Sequence, residues 1–153
     1  SVAAEAGKLV VNSRQFDLRV LINGLIDQIR HHALGHGRIL EMTGPSCTIT
    51  TDPRLLRHIL GNLLINALEA AGVDDKVTIS WEATRKGAVV HVDNPGFISE
   101  ETRARLFRET FSTKGVERGL GLYMAHTIAE KYLNARLECA QIESVVRFSI
   151  YLG

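Results

Sequence analysis

Apolar positions along this chain switch between two periods, one helical and one strand-like. Across residues 56–72 (LRHILGNLLINALEAAG) the apolar positions are Leu56, Ile59, Leu60, Leu63, Leu64, Ala67, Leu68 and Ala71. They recur at about 3.6 residues and share one broad helix face. His58, Asn62, Asn66 and Glu69 fall on a narrow polar stripe beside that face. Two asparagines one turn apart at the edge of an apolar surface are costly unless something polar meets them. The helix is therefore expected to bury one side and to present the stripe as the floor of a site. Asp52-Pro53 supplies an N-cap followed by Pro at the first helical position, and Gly72 a stop. An earlier helix is predicted from Asp17, with Leu18, Leu21, Ile22, Leu25 and Ile29 in phase, ending near Gly35 and Gly37.

Strand-like alternation takes over elsewhere. Residues 38–43 and 47–50 read as two short strands around the turn Gly44-Pro45-Ser46. Val77, Ile79, Trp81 and Ala83 alternate, Lys86-Gly87 turns the chain, and Ala88, Val90 and Val92 alternate again, which predicts a hairpin. Residues 93–118 form a polar connection containing a short helix that Ser99 caps and that runs through Phe107. A connection of that length inside a compact domain is usually functional. Gly119 then opens a helix carrying Leu122, Ala125, Ile128, Ala129 and Tyr132, and strands follow at 135–140 and 146–152. The strands come in adjacent pairs, which excludes a doubly wound fold. The expected class is an α/β (α+β) two-layer sandwich whose mixed, mainly antiparallel sheet is covered on one face by helices.

Composition narrows the function classes. The 153 residues make one domain with an ordinary core, and a net charge of +1 argues against nucleic acid as the main partner. Cys47 and Cys139 lack metal or redox spacing and read as reduced core thiols of a cytoplasmic domain. No apolar run approaches the ~20 residues of a membrane span, so no membrane segment is expected in this chain, although a parent protein can still be membrane-anchored. The start at Ser1, without Met and in a small-residue stretch, reads as a piece of a longer chain. Residues 1–11 are expected to be the end of a preceding helix or a linker, and 12–153 the domain. His31, His32 and His36 cluster at a helix end with no carboxylate at ligand spacing, and read as a solvated terminus.

Several residues are equipped for chemistry. Arg118-Gly119-Leu120-Gly121-Leu122 puts two glycines at a helix start, where free N–H groups attract anions and the missing Cβ admits a phosphate chain. Upstream, Ser112, Thr113 and Lys114 supply hydroxyls and a cation; Lys114 and Arg118 together suit a polyphosphate. Asp93, leaving an apolar strand, offers acceptor oxygens to an exocyclic amine such as that of adenine, or serves as a turn residue of Asp-Asn-Pro-Gly. The amide oxygen of Asn66 suits Mg²⁺ bridging phosphates, or a backbone partner in a core.

In order, NLLINALEA, VDNPGFI, the Phe107…Phe111-Ser-Thr-Lys stretch and RGLGLYMAHTIAEKY resemble the N, G1, F and G2 boxes of the catalytic ATP-binding domain of sensor histidine kinases. The resemblance runs from about Asp52 to Leu152. It implies the Bergerat fold shared with gyrase, the heat-shock protein of ninety kilodaltons and the mismatch-repair ATPases, with ATP and Mg²⁺ as cofactors. By that carry-over Asn66 binds the magnesium and Asp93 the adenine. Asn62 and Lys114 lie near the phosphates, and Gly119 and Gly121 sit at the base of a lid. Ala70, Gly96, Ile98, Ser112, Thr113, Arg118, Leu120 and Leu122 complete the cofactor-binding set, and Asn62, Glu69 and Lys114 the catalytic one.

The chain departs from the family at the G1 box, usually D-x-G-x-G, where Pro95 and Phe97 stand at both glycine positions. Val146 stands where a Thr near adenine is usual. ATP affinity is accordingly expected to be lower than in a typical member. Asn62 replaces the general-base Glu of gyrase-like ATPases, which suits a phosphotransferase better than a hydrolase, and Glu69 is placed to polarise a nucleophile. The implied role is to donate the γ-phosphoryl of MgATP to a histidine on a separate dimerisation and phosphoacceptor domain, with a response regulator downstream. Residues 1–11 are too short to carry that histidine, so autophosphorylation of this chain alone is not expected. The competing reading is a degenerate binding module that docks a signalling partner without catalysis; a stand-alone relative phosphorylating Ser on a protein antagonist is the third.

Overall fold

The computed structural model describes residues 9–31, 37–108 and 116–153, with side chains of the last stretch from residue 121 onward. The chain begins with β1 (Arg14–Asp17), a strand that the sequence pattern did not reveal, and continues without a break into α1 (Leu18–Arg30). Asp17 caps α1 by accepting the Arg19 N–H at 2.9 Å. Leu18, Leu21, Ile22, Leu25, Ile26 and Ile29 form its buried face.

The strands β2 (Ile39–Thr43) and β3 (Thr48–Thr51) do not pair with each other, contrary to the adjacent pairing expected from their spacing. β3 pairs antiparallel with β1 in a two-stranded ribbon, while β2 lies parallel to β4 (Lys76–Ala83) in the main sheet. The physical reason lies in the segment between them. Pro45 O accepts the Trp81 indole N–H at 2.8 Å, and Gly44 O accepts from the Arg19 guanidinium at 2.7 Å. A Cβ at Gly44 would stand 2.3 Å from the Trp81 ring. The segment is thus a crossover pressed onto the indole rather than a hairpin turn.

α2 (Pro53–Ala70) follows from its predicted cap. Asp52, only 1% exposed, accepts the Arg54 and Leu55 N–H groups and also the Asn12 N–H at 2.8 Å, tying the N-terminal segment to the helix start. Leu56, Ile59, Leu60, Leu63, Leu64, Ala67 and Leu68 are wholly buried. The helix ends at Ala70 with Ala71 extended, and Gly72 donates its N–H to Asp75. The left-handed residue of this exit is Asp74 (φ 70°), not Gly72.

β5 (Ala88–Pro95), β6 (Arg136–Ile142) and β7 (Val145–Leu152) complete a five-stranded sheet of order β2-β4-β5-β7-β6, antiparallel except for β2 against β4. The predicted hairpin is present as β4–β5. A Cβ at Gly87, in its turn, would meet the Leu152 carbonyl oxygen at 2.6 Å, which fixes glycine there. α3 (Glu100–Arg105) and α4 (Val116–Thr127) follow β5, and α4 continues as a π-helical stretch, Ile128–Tyr132.

One face of the sheet carries Val77, Ile79, Trp81, Val90, Val92, Leu137, Val146, Phe148 and Ile150, which join α1, α2 and α4 residues in a single core. The opposite side is polar, with Thr78, Ser80, Glu82, His91, Asp93, Glu138, Arg147 and Ser149 alternating against those apolar positions. This is the expected two-layer sandwich. Leu9 already belongs to the core, so the packed body includes residues before Asn12. Cys139 packs against the core, where burial pushes its thiol up to about 12; burial also raises Cys47. No described helix is long and apolar enough to cross a membrane.

Candidate functional site

The polar stripe of α2 sits where its period put it. Asn62, Asn66 and Glu69 are half-buried between the core face and solvent, while His58 and Ala70 are exposed. Asn62 donates to the His58 carbonyl at 3.1 Å, a bond within its own helix that holds the amide along the groove. Amide and carboxylate oxygens one turn apart on one stripe form a hard donor set. The Asn66 amide oxygen among them is of the kind that could hold Mg²⁺.

β5 runs past α2 and ends the site at Asn94 and Pro95. Strand alternation decides which side chain enters. Val90 and Val92 face the core, so Asn94, 3% exposed, lies on that same helix-covered face. Asn94 Nδ2 donates to the Pro95 carbonyl at 3.0 Å, so its amide oxygen is the acceptor end. Asn94 is paired with Val146 across β5 and β7.

Asp93, to which the sequence reading assigned the adenine contact, is on the other face, away from Asn94. Arg147 Nε and Nη2 donate to its two carboxylate oxygens at 2.8 and 2.9 Å, a bidentate pair between cross-strand neighbours. The Asp93 hydrogen bond, ahead of the opposing desolvation, holds the Arg147 guanidinium above its ordinary value. A carboxylate committed to an arginine away from α2 does not line the groove. The signal was present in the sequence, because Ala88, Val90 and Val92 put Asn94 in phase and Asp93 out of phase.

The residues after β5 are already hydrogen-bonded. Gly96 adopts φ 146° and donates its N–H to the Ser144 carbonyl at 2.9 Å. Ile98 donates its N–H to Gln141 Oε1 at 2.7 Å. Gly96 and Ile98 therefore shape the rim and do not offer these N–H groups to a ligand. Phe97, between them, is 81% exposed, so it does not fill the groove as a residue at a glycine position would if turned inward.

The far wall comes from the segment after α3, where Ser99 accepts the Thr102 N–H as predicted. Phe107 stacks on His126 with centroids 4.7 Å apart and meets Phe148 edge-on at 6.1 Å. His126 pairs with Glu130 at 3.4 Å, and Glu130 accepts the Leu137 N–H at 3.2 Å. Phe107 thus anchors the start of the long connection to α4 and the sheet. Ser112, Thr113 and Lys114 lie outside the described residues.

α4 runs Val116–Thr127, so Gly119, expected at its opening, lies inside it. Gly121 lies inside it as well. Of Arg118, Gly119 and Leu120 only the helical backbone is described. Gly121 is half-buried, and Leu122, 5% exposed, puts its side chain into the core, where it anchors the helix.

The asparagine stripe of α2, the buried amide of Asn94 and the Phe107–His126 stack thus all lie on the helix-covered side of the sheet. Residues 51–152 match the family described as histidine kinase-, DNA gyrase B-, and HSP90-like ATPase. The chain belongs to that family. It is 28% identical over 140 residues to the sensor histidine kinase ZraS of Escherichia coli, covering 89% of this chain and 30% of that protein. It is 30% identical over 144 residues to the heme sensor protein HssS of Staphylococcus aureus, covering 90% of this chain and 32% of that protein. The chain thus spans about three-tenths of the length of these relatives. Among solved structures, the nucleotide-free catalytic domain of the histidine kinase ThkA superposes with a TM-score of 0.84 at 26% identity, covering 92% of this chain and 97% of that one. Fold and sequence alike are similar to those of histidine kinase catalytic domains.

Proposed function

We propose that this domain binds MgATP in the groove along α2 and supplies the ATP-binding half of a two-component histidine kinase. The observation that carries the reading is the pairing of the half-buried Asn62–Asn66 stripe with an inward Asn94 at the end of β5, inside a family match that covers both. In this reading Asn66 holds Mg²⁺ through its amide oxygen and Asn62 borders the phosphates. The metal supplies charge neutralisation for the triphosphate. Asn94, its nitrogen committed to Pro95, presents its oxygen to the exocyclic amine of adenine. Gly119 and Gly121 of α4, together with Ser112, Thr113, Lys114 and Arg118, serve the polyphosphate end. Glu69 is the carboxylate placed to take a proton from an incoming nucleophile.

The γ-phosphoryl passes to a histidine ring nitrogen on a separate phosphoacceptor domain, forming a P–N bond and releasing ADP. Catalysis is positioning and electrostatics. A response regulator then receives the phosphoryl group. One structural neighbour, ThkA, is known in complex with the response regulator TrrA, which supports that class of partner. A cytoplasmic setting, where ATP is available, follows from this reading.

A second reading, a binding module without catalysis, is favoured by one observation. The end of β5 and the loop after it carry Pro95 and Phe97 where the family's usual pattern has glycines. The test is transfer in trans. Radiolabelled γ-phosphate should appear on an added phosphoacceptor domain and not on this chain alone. Saturable MgATP binding with no transfer to any acceptor histidine would favour the module.

A further inference from the structure

Gln141 is a β6 residue that no nucleotide contact requires, yet its amide is bonded at both ends. It is paired with Val146, which is paired with Asn94, so the three stand in one row across β6, β7 and β5. Its Oε1 accepts the Ile98 N–H at 2.7 Å. Its Nε2 lies 3.0 Å from Gly96 O, 2.8 Å from Glu143 O and 3.3 Å from Val145 O. Only a side-chain amide combines an acceptor and a two-proton donor in this span; a carboxylate cannot donate and an ammonium cannot accept.

The amide therefore ties the loop 96–98 to the β6–β7 turn on both sides of Phe97. Ser144 adds a further link by accepting the Gly96 N–H. The chain leaving Asn94 and Pro95 is fixed within two residues of the Asn94 amide, and Pro95 O is the group that orients that amide. In a loop that lacks glycines at both usual positions, Phe97 is held outward at the apex.

We propose that Gln141 is a positioning residue for base recognition: it holds the loop 96–98 so that Pro95 keeps the Asn94 amide oxygen directed into the groove. The proposal rests on the MgATP reading above. Gln141 is half-buried and the loop is at the rim, so water replaces the lost bonds when the amide is removed, and fold stability changes little. What is lost is the fixed orientation of Asn94.

The test compares MgATP with MgITP, whose base carries an oxygen in place of the exocyclic amine, by calorimetric titration of this chain. The wild type should prefer ATP by about tenfold, the scale of one well-made hydrogen bond. In Gln141→Ala the preference should fall towards unity while MgITP affinity is retained. Gln141→Glu, isosteric but without donors, should do the same and carries the comparison if the alanine variant fails to fold. A preference unchanged in both variants, or an equal loss for both nucleotides accompanied by a lowered melting temperature, would overturn the proposal alone. A wild-type chain that binds neither nucleotide would overturn the MgATP reading and the proposal with it.

Discussion

Asp93 and Arg147 clasp each other across β5 and β7 on the polar face of the sheet, while the next residue, Asn94, faces the helices. A one-residue step along a strand reverses the face, so the two side chains have different jobs. Asp93→Asn should leave MgATP affinity within about twofold and cost about 1 kcal/mol of stability, a modest value because the Arg147 side chain is a third exposed. Asn94→Ala should weaken MgATP binding about tenfold at little cost in stability. Titration and urea unfolding of both variants check this; loss of binding in the Asp93 variant alone would return the adenine contact to Asp93.

His91 shares the polar face with that pair and lies 2.6 Å from Ser149 Oγ. Desolvation, and then the Arg147 charge, hold its imidazole below the ordinary value of 6.5. Below pH 6.5 the unfolded chain takes up a proton that the folded chain resists, so stability is full above that value and falls as pH drops towards the lowered native pKa. His91→Gln should flatten this part of the stability-against-pH curve. Urea midpoints between pH 7.5 and 5 measure it, and an unchanged slope would contradict the linkage.

Gly44 has no room for a side chain. Its Cβ would sit inside contact distance of the Trp81 ring, whose N–H is committed to Pro45. Gly44→Ala should destabilise the domain by about 1–3 kcal/mol, the range for forced overpacking. Trp81 is the sole tryptophan, so its emission reports the displacement directly. An unshifted spectrum and melting temperature would show that the crossover yields freely.

Much of this was legible in the sequence because the signals are local. The 3.6 period and the Asp52-Pro53 start give α2, and the alternation around Lys86-Gly87 gives β4–β5. What was not legible depends on distant partners. Residues 38–43 and 47–50 read as neighbours, yet β2 needs β4 and β3 needs β1, pairings set by tertiary contacts such as that of Pro45 with Trp81. β1 is four residues long and carries no alternation strong enough to distinguish it. Asp93 was chosen for its acceptor oxygens and its match to the G1 box, although strand parity favoured Asn94. Gln141 has no motif at all; its role exists only once the β6–β7 turn meets the loop after β5.

The central claim is that the α2 stripe holds MgATP, and Asn66 is its most exacting point. Titration of this chain with a fluorescent ATP analogue, with and without Mg²⁺, tests it most directly. Saturable, Mg²⁺-dependent binding is predicted, with Asn66→Ala weakened at least about tenfold and no longer responsive to Mg²⁺. No binding at millimolar nucleotide, or an Asn66→Ala variant that binds as the wild type does, would contradict it.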